Sequence, residues 1–178
     1  MKKILITGSG GFIGRNLIKL LEKKYKLFCF DRKQGDLKKK KIFPIVDIVI
    51  HLAAYNSTKD FYKKPLEVIQ DNLIPTLNLV EFYRKQKKPP LFVYTGTPEI
   101  TVGATDNFGY KIPTDEKVPM VIPDLKNARW SYASSKGLGE QVIISSGLKY
   151  IIIRPHNIYG PGQENHFVPE FIQRCKKN

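Results

Sequence analysis

Cysteine is scarce in this sequence, and long apolar runs are absent from it. The chain of 178 residues contains two cysteines, Cys29 in a predicted buried strand and Cys175 near the end. They have neither the paired spacing of a metal site nor that of a disulfide framework. No apolar run approaches the roughly 20 residues of a membrane span, and the opening MKKILITGSG leads into a glycine loop rather than a cleavage site. We expect a cytoplasmic protein without a membrane segment or a metal centre.

Acidic residues are also few. The chain has 16 Asp and Glu against 30 Lys and Arg, a formal net charge of +14. The lysines are scattered, and the dense run at 38–41 is not interleaved with the aromatic residues of a nucleic-acid stacking platform. The pattern favours solvated lysine and no nucleic-acid partner, although a basic surface would steer phosphate-bearing ligands toward the chain.

Apolar residues alternate between short continuous runs and longer amphipathic stretches. The predicted strands are residues 4–7, 27–31, 48–51, 91–95 and 150–154. Near-continuous apolar runs are typical of strands buried on both faces of a parallel sheet. Helical spacing recurs around 17–21, 73–82 and 131–144. The order predicts one α/β domain, a Rossmann-type doubly wound parallel sheet.

Two stretches depart from that alternation. Residues 101–127 show no clear period and read as one long loop, which in a compact domain is usually functional. The connection from Asp31 to Ile48 is too short for a long helix.

A glycine-rich turn follows the first predicted strand. Gly8 allows the tight turn, Gly11 lets a pyrophosphate approach the backbone, and Gly14 lets the next helix pack on the sheet. Phe12 and Ile13 begin that helix, whose N-terminus favours phosphate. These five residues are candidate cofactor contacts, and a purely structural turn is the alternative.

The end of the second predicted strand carries the next candidates. Asp31 lies seventeen residues after Gly14, where a carboxylate accepts hydrogen bonds from an adenosine ribose and repels a 2′-phosphate. This favours NAD over NADP, although Arg32 beside it weakens the argument, and capping the turn is the alternative role. Asp36 and Leu37 are predicted to form a strand edge that meets the adenine.

The stretch RWSYASSK places Tyr132 and Lys136 four positions apart, on one face of a helix. Free tyrosine is uncharged below about pH 10, so the pair gains no ordinary salt bridge. The pair has a chemical purpose if the positive charge of Lys136 lowers the pKa of the Tyr132 phenol. An amphipathic surface helix is the alternative.

Several motifs occur in one order along the chain. They are GSGGFIG at 8–14, HLAA at 51–54, Asn72, Thr97, YASSK at 132–136 and RPHNIYGP at 154–161. Together they resemble the extended short-chain dehydrogenase/reductase superfamily, in particular its nucleotide-sugar epimerases, dehydratases and decarboxylases. The resemblance covers nearly the whole chain.

The resemblance implies NAD as cofactor and a nucleotide-sugar as substrate. Tyr132 would take a proton from a sugar hydroxyl while Lys136 holds the cofactor ribose and favours the phenolate. Moving a tyrosine pKa from about 10 to near 7 needs roughly 4 kcal/mol. Thr97 would bind the same hydroxyl as a catalytic and substrate-binding residue.

The remaining contacts are carried over in the same way. Those assigned to the cofactor are Leu52, Ala53, Ala54, Asn72 and Pro155, with Asn72 expected mainly to brace the sheet and a water. Asn157 is assigned to the nucleotide-sugar.

The reaction type depends on Thr97-Pro98-Glu99, where 4,6-dehydratases often carry Thr-Asp-Glu. Proline replaces the aspartate, whereas Glu99 remains as a catalytic base or a solvated carboxylate. The sequence context Arg129-Trp130-x-Tyr132 is similar to that of decarboxylases that act on UDP-glucuronate. We favour an epimerase/dehydratase that epimerises its substrate, with a decarboxylase or 4,6-dehydratase as alternatives. A non-catalytic NAD-binding module that needs a partner is the alternative of another class.

Relatives continue into a smaller C-terminal substrate domain, which is largely absent here. We assign 1–178 to the NAD-binding domain, with a truncated substrate-binding part from about residue 160, in a fragment or a natural short form. The resemblance also implies a homodimer through a four-helix bundle of helices beginning near Asn72 and Ser131. Phe82, Leu138 and Val142 would form its seam or lie in the core.

Overall fold

The computed structural model describes residues 1–164 and 167–176. Within these ranges the strands are β1 (Lys3–Thr7), β2 (Lys26–Phe30), β3 (Ile48–His51), β4 (Leu91–Thr95) and β5 (Tyr150–Ile153). The α-helices are α1 (Phe12–Leu21), α2 (Thr58–Lys63), α3 (Pro65–Tyr83), α4 (Val102–Phe108), α5 (Trp130–Ile144) and α6 (Phe167–Cys175). All five predicted strands are confirmed to within one residue at each end. The predicted range 1–178 includes 165–166 and 177–178, which lie outside the described residues.

The five described strands form one parallel sheet in the order β2-β1-β3-β4-β5. In the sheet, β2 lies on one side of β1, and β3, β4 and β5 follow one another on the other side. Right-handed crossovers therefore put α1 on one face of the sheet and α3 and α5 on the other. This confirms the predicted Rossmann-type α/β fold.

The main core lies between the sheet and the α3–α5 layer. Val49, Phe92 and Tyr94 are fully buried on that face of the sheet. The β2–β3 connection adds Phe43, whose ring stacks on Tyr83 of α3 at a centroid distance of 6.1 Å. Burial of each such side chain contributes about 1.5–3 kcal/mol.

The opposite face is only partly covered. The expectation of strands buried on both sides is confirmed for β1, whose residues 4–7 are all buried, and is wrong for β5. Ile151 and Ile153 of β5 are 47% and 49% exposed. The reason is that β5 is an edge strand of the described sheet and α1 lies at the far side, next to β1 and β2. Cys29 on β2 is likewise exposed rather than buried.

The stretch 101–127 is not one continuous loop. A 3-10 turn (Pro98–Thr101) runs directly into α4, and the rest has no regular structure. The seven residues VGATDNF include several weak helix formers, so they carried no helical signal. Gly103 lies against the Val121 carbonyl and Gly137 against Met120, where an added Cβ would come within 2.1 and 2.2 Å. This segment is therefore held closely on α4 and α5.

Two further expectations are corrected. Asp36 and Leu37 lie in an irregular connection and not in a strand, and α3 begins at Pro65 rather than near Asn72. Of the residues assigned to a dimer seam or to the core, Phe82 and Val142 are partly buried against the core, whereas Leu138 is 48% exposed.

The lysine run at 38–41 is partly engaged with the fold. Lys38 pairs with Asp71, and the Lys41 ammonium donates to the Asn78 side chain. Lys40 lies 5.0 Å from the Phe30 ring centroid. The run is therefore not a freely solvated basic patch. Among the described residues, no helix combines the length and apolar character needed to cross a membrane.

Candidate functional site

A cleft of about 2610 Å³ runs along the carboxyl edge of the sheet. Parallel strands all end at this edge, so the segments that follow them meet there. Of the predicted site residues, the cleft is lined by Gly8, Gly11, Phe12, Ile13, Gly14, Asp31, Arg32, Asp36, Leu37, Leu52, Ala53, Ala54, Thr97, Glu99, Tyr132, Lys136, Pro155 and Asn157. Asn72 is the one predicted residue outside this lining.

The glycine turn leaves room for a ligand at the start of α1. Gly8 has φ +69°, and a Cβ there would lie 2.7 Å from the Ala53 nitrogen. Gly14 is packed equally closely, because its Cβ would lie 2.4 Å from the Gly8 carbonyl oxygen. Gly11 is exposed and forms the N-cap of α1 without any side-chain hydrogen bond. This open helix start suits the pyrophosphate of a dinucleotide.

Asp31 holds the glycine turn in place. Its Oδ2 accepts a hydrogen bond from the Gly10 amide at 2.6 Å, and its Oδ1 accepts one from the Arg32 amide. The Arg32 guanidinium lies 5.5 Å from the Tyr55 ring centroid. The carboxylate therefore joins the turn to the end of β2, as the capping alternative expected, and still borders the cleft.

Asn72 does not line the cleft, which corrects its assignment to the cofactor. It is 2% exposed. Its Oδ1 accepts from the Tyr55 amide at 2.7 Å, and its Nδ2 donates to the Tyr55 carbonyl and to Ser135 Oγ. A helical amide buried in this way braces the segment after β3 against α5.

His51 makes a second brace beneath the cleft. Its ring lies between the hydroxyls of Thr7 and Thr76, at 2.6 and 3.1 Å. Complete burial first, and the charge of Lys136 second, lower the pKa of His51 to about 3. The imidazole is therefore neutral and links β1 to α3 through β3.

Tyr132 lies in the cleft near two polar side chains. Burial first and the Glu99 carboxylate second raise the pKa of its phenol above the ordinary value, and the nearby Thr97 side chain partly opposes this rise. Thr97 is 5% exposed and also accepts from the Glu99 amide. The ring of Tyr132 stacks on Phe61. Within the chain, then, the phenol is neutral at pH 7.

Lys136 is 2% exposed, and its ammonium lies 4.4 Å from the Tyr94 ring centroid. Burial lowers the pKa of Lys136 to about 7, and Glu140 one helical turn away opposes that change. In the chain itself the pKa of Tyr132 is raised, and the Lys136 ammonium lies over the Tyr94 ring. Acidification of Tyr132 by this lysine together with the oxidised nicotinamide therefore stays a prediction.

Glu99, which lines the cleft, forms an ion pair with Arg129, which does not. Glu99 Oε2 lies 3.9 Å from Arg129 Nη2, and both side chains are about a third exposed. Pro155 is half-buried and Asn157 exposed where the chain leaves β5. The Asn157 amide is therefore exposed to a polar ligand, whereas the Glu99 carboxylate is already paired with Arg129.

Sequence reasoning missed three residues of this region. Tyr55 and Phe61 line the cleft, and Glu140 binds Arg154 behind it. Tyr55 directly follows HLAA and could have been found by position. Phe61 lies in a six-residue helix that has no recognisable periodicity, so only the tertiary structure reveals it.

Comparison with known proteins agrees with this geometry. The sequence model of the NAD dependent epimerase/dehydratase family matches residues 4–178. The bifunctional polymyxin resistance protein ArnA of Wigglesworthia glossinidia brevipalpis is 30% identical, covering 96% of this chain and 29% of that protein. The UDP-N-acetyl-alpha-D-glucosaminuronate decarboxylase of Bacillus cytotoxicus is also 30% identical, covering 97% and 60%.

A solved structure gives the same fold. The UDP-N-acetylglucosamine 4-epimerase of Methanobrevibacter ruminantium M1 superposes with a TM-score of 0.81 at 22% identity, covering 99% of this chain and 63% of that one. This chain therefore spans less than two thirds of the length of these relatives. The predicted resemblance and the predicted cofactor, NAD, are confirmed at the level of the family. The chain belongs to the NAD dependent epimerase/dehydratase family.

Proposed function

We propose that this chain binds NAD along the carboxyl edge of its sheet and carries the acid/base residue of a nucleotide-sugar epimerase/dehydratase. The observation that carries the proposal is the position of Tyr132 and Thr97 in the same cleft as the open glycine turn. The glycine turn would hold the pyrophosphate, and Asp31 would border the ribose. These residues fit the cofactor because a side chain at Gly8 would meet backbone and Gly11 leaves the helix start open.

When bound, NAD accepts a hydride from a ring carbon of the sugar. Tyr132 Oη would take the proton of the hydroxyl on that carbon and return it when the carbonyl is reduced. Thr97 would orient the hydroxyl, since its own side chain is already near the phenol. Because burial and Glu99 raise the pKa of Tyr132, added positive charge is needed to form the phenolate at pH 7. Lys136 and the oxidised nicotinamide are the groups assigned to supply it.

The test compares Tyr132→Phe with Tyr83→Phe, which removes a buried hydroxyl from the core far from the cleft. We expect Tyr132→Phe to lower turnover of nucleotide-sugars by about 100-fold or more while leaving the Kd for NAD nearly unchanged. Tyr83→Phe should keep both. Turnover at the original rate in Tyr132→Phe would refute the catalytic role, and failure of NAD to bind or to raise the Tm would refute the cofactor site.

A decarboxylase is the second candidate. Arg129 pairs with Glu99, a residue of the cleft lining, and a guanidinium suits the carboxylate of a uronic acid. A named relative at 30% identity is a decarboxylase of a UDP-sugar acid. A panel of UDP-, dTDP-, GDP- and CDP-sugars, with and without a C6 carboxylate, distinguishes the two. Release of CO₂ from a uronate favours decarboxylation, and inversion of a neutral sugar favours epimerisation. NAD binding without turnover of any sugar would favour the non-catalytic module.

A further inference from the structure

The ring of Phe61 covers one face of the Tyr132 phenol. The two ring centroids are 4.8 Å apart and the rings are 11° from parallel. Phe61 is 2% exposed, although it belongs to a helix of only six residues at the edge of the cleft. The one buried residue of this short helix therefore contacts the proposed acid/base group, whereas the other residues of the helix are not buried.

The segment that carries Phe61 is tied down at both ends. On its N-terminal side, the backbone amide and carbonyl of Tyr55 are both hydrogen-bonded to the Asn72 side chain, which also donates to Ser135 Oγ on α5. On its C-terminal side, the Lys64 amide donates to Asp60 and the Lys64 carbonyl accepts from Val68, which joins α2 to α3. Phe61 is thereby held in register with α5, the helix that bears Tyr132.

Stacking limits how the phenol can be placed. A tyrosine ring on a helix can change its χ1 rotamer, which would move the hydroxyl away from Thr97, and it can rotate about χ2. Rotation about χ2 leaves the oxygen in place, because the oxygen lies on the rotation axis, but it turns the ring plane in which the O–H bond lies. A ring lying flat on a buried neighbour can rotate only by separating from it. The hydroxyl edge remains free, because the stack uses the face of the ring.

Stacking also removes water from that face. Phe61 therefore contributes to the burial that raises the pKa of Tyr132. The other groups near the phenol are Glu99 on the turn after β4, Tyr94 on β4, and Lys136 on α5, whose ammonium is directed to Tyr94.

We propose that Phe61 is a positioning residue of the reaction assigned to Tyr132. Its ring holds the χ1 position and the plane of the phenol, so that the hydroxyl stays beside Thr97 with its O–H bond in a fixed plane, and it shields the phenol from water. This inference rests on the proposed function of Tyr132. It assigns Phe61 no contact with the reacting atoms.

The test uses Phe61→Leu, which keeps an apolar side chain but removes the ring, and Phe61→Tyr, which keeps the ring. The matched control is Phe43→Leu, because Phe43 is 4% exposed and also stacks on a tyrosine, Tyr83, away from the cleft. Two properties are measured for each. One is the titration of Tyr132, followed by phenolate absorbance in the chain without ligand. The signal of Tyr132 is obtained by subtracting the absorbance of the same variant that also carries Tyr132→Phe. The other is kcat and KM for the nucleotide-sugar that the panel identifies.

We expect Phe61→Leu to lower the Tyr132 pKa, because water reaches the ring, and yet to lower kcat by about tenfold or more with little change in KM. Phe61→Tyr should keep the Tyr132 pKa and kcat of the unsubstituted chain. Phe43→Leu should lower the Tm without changing the Tyr132 pKa or kcat. An unchanged Tyr132 titration and an unchanged kcat in Phe61→Leu would overturn the proposal. The titration needs no turnover, so it tests the role of Phe61 even if the proposed function is wrong. Failure of the proposed function would show instead as full activity of Tyr132→Phe.

Discussion

Arg154, directly after β5, donates hydrogen bonds to both carboxylate oxygens of Glu140 on α5. Its Nε lies 3.0 Å from Oε1 and its Nη2 lies 2.7 Å from Oε2. The Glu140 side chain is only 5% exposed, whereas that of Arg154 is 27% exposed. The pair joins the last described strand to the helix that bears Tyr132 and Lys136.

Removal of the guanidinium should be costly. We expect Arg154→Met to lower the free energy of unfolding by about 3 kcal/mol, because it leaves a buried carboxylate without its partner. The measurement is urea denaturation. Glu81→Gln is the control, since it breaks an exposed pair with Arg84 and should cost less than about 1 kcal/mol. Equal losses in the two variants would contradict a buried pair.

Lys136 should make stability depend on pH. Its pKa of about 7 in the folded chain lies below the ordinary 10.5, so between these values the unfolded chain holds a proton that the folded chain lacks. The free energy of unfolding should therefore rise as pH increases from about 7, by at most about 1.4 kcal/mol per pH unit. The cost of the buried charge is fully present below pH 7.

Denaturation at several pH values between about 7 and 9 tests this slope. Lys136→Met should remove it, and Lys39→Met, at an exposed lysine, should keep it. The range stops below pH 10, where the raised pKa values of Tyr83 and Tyr94 would make stability fall. A slope that survives in Lys136→Met would assign it to another group.

The two glycines at the start of α1 should respond differently to alanine. At Gly11 the new Cβ would lie 3.2 Å from the Gly8 carbonyl oxygen, so a small shift accommodates it. We expect Gly11→Ala to keep its Tm and lose about tenfold or more in NAD affinity, because the methyl group lies where the pyrophosphate approaches. Gly14→Ala would bring the Cβ within 2.4 Å of backbone and should lower stability by about 1–3 kcal/mol. Thermal unfolding and calorimetric titration with NAD measure both, and an unchanged NAD affinity in Gly11→Ala would contradict the assigned phosphate site.

Glu99 should control the acidity of the phenol. Because its carboxylate raises the pKa of Tyr132, Glu99→Gln should lower that pKa, as followed by phenolate absorbance. Asp106→Asn, which removes another acidic group of the cleft lining, should leave the titration where it was. If the two variants titrate alike, Glu99 does not act on Tyr132.

Much of the fold could be predicted from local pattern alone. The five apolar runs predicted the strands because a parallel strand buries consecutive residues, and the glycine turn after the first run predicted the start of α1. The sequence failed where local signal is weak. VGATDNF and TKDFYK form short helices whose stability comes from packing rather than propensity, and Ile151 and Ile153 read as buried because an apolar run does not reveal which sheet face lacks a covering helix.

The sequence by itself determined which segments end at the carboxyl edge of the sheet, and so which residues could reach a dinucleotide. That information is local, because alternating strands and helices imply parallel strands joined by right-handed crossovers, all of which end at the same edge of the sheet. Only the tertiary structure decided the surroundings of each group. It turned Asn72 away from the cleft, placed Lys136 over Tyr94, and brought Phe61 onto Tyr132 from 71 positions away in the sequence. Contacts between side chains on separate elements depend on how those elements pack, and no spacing within one element encodes them.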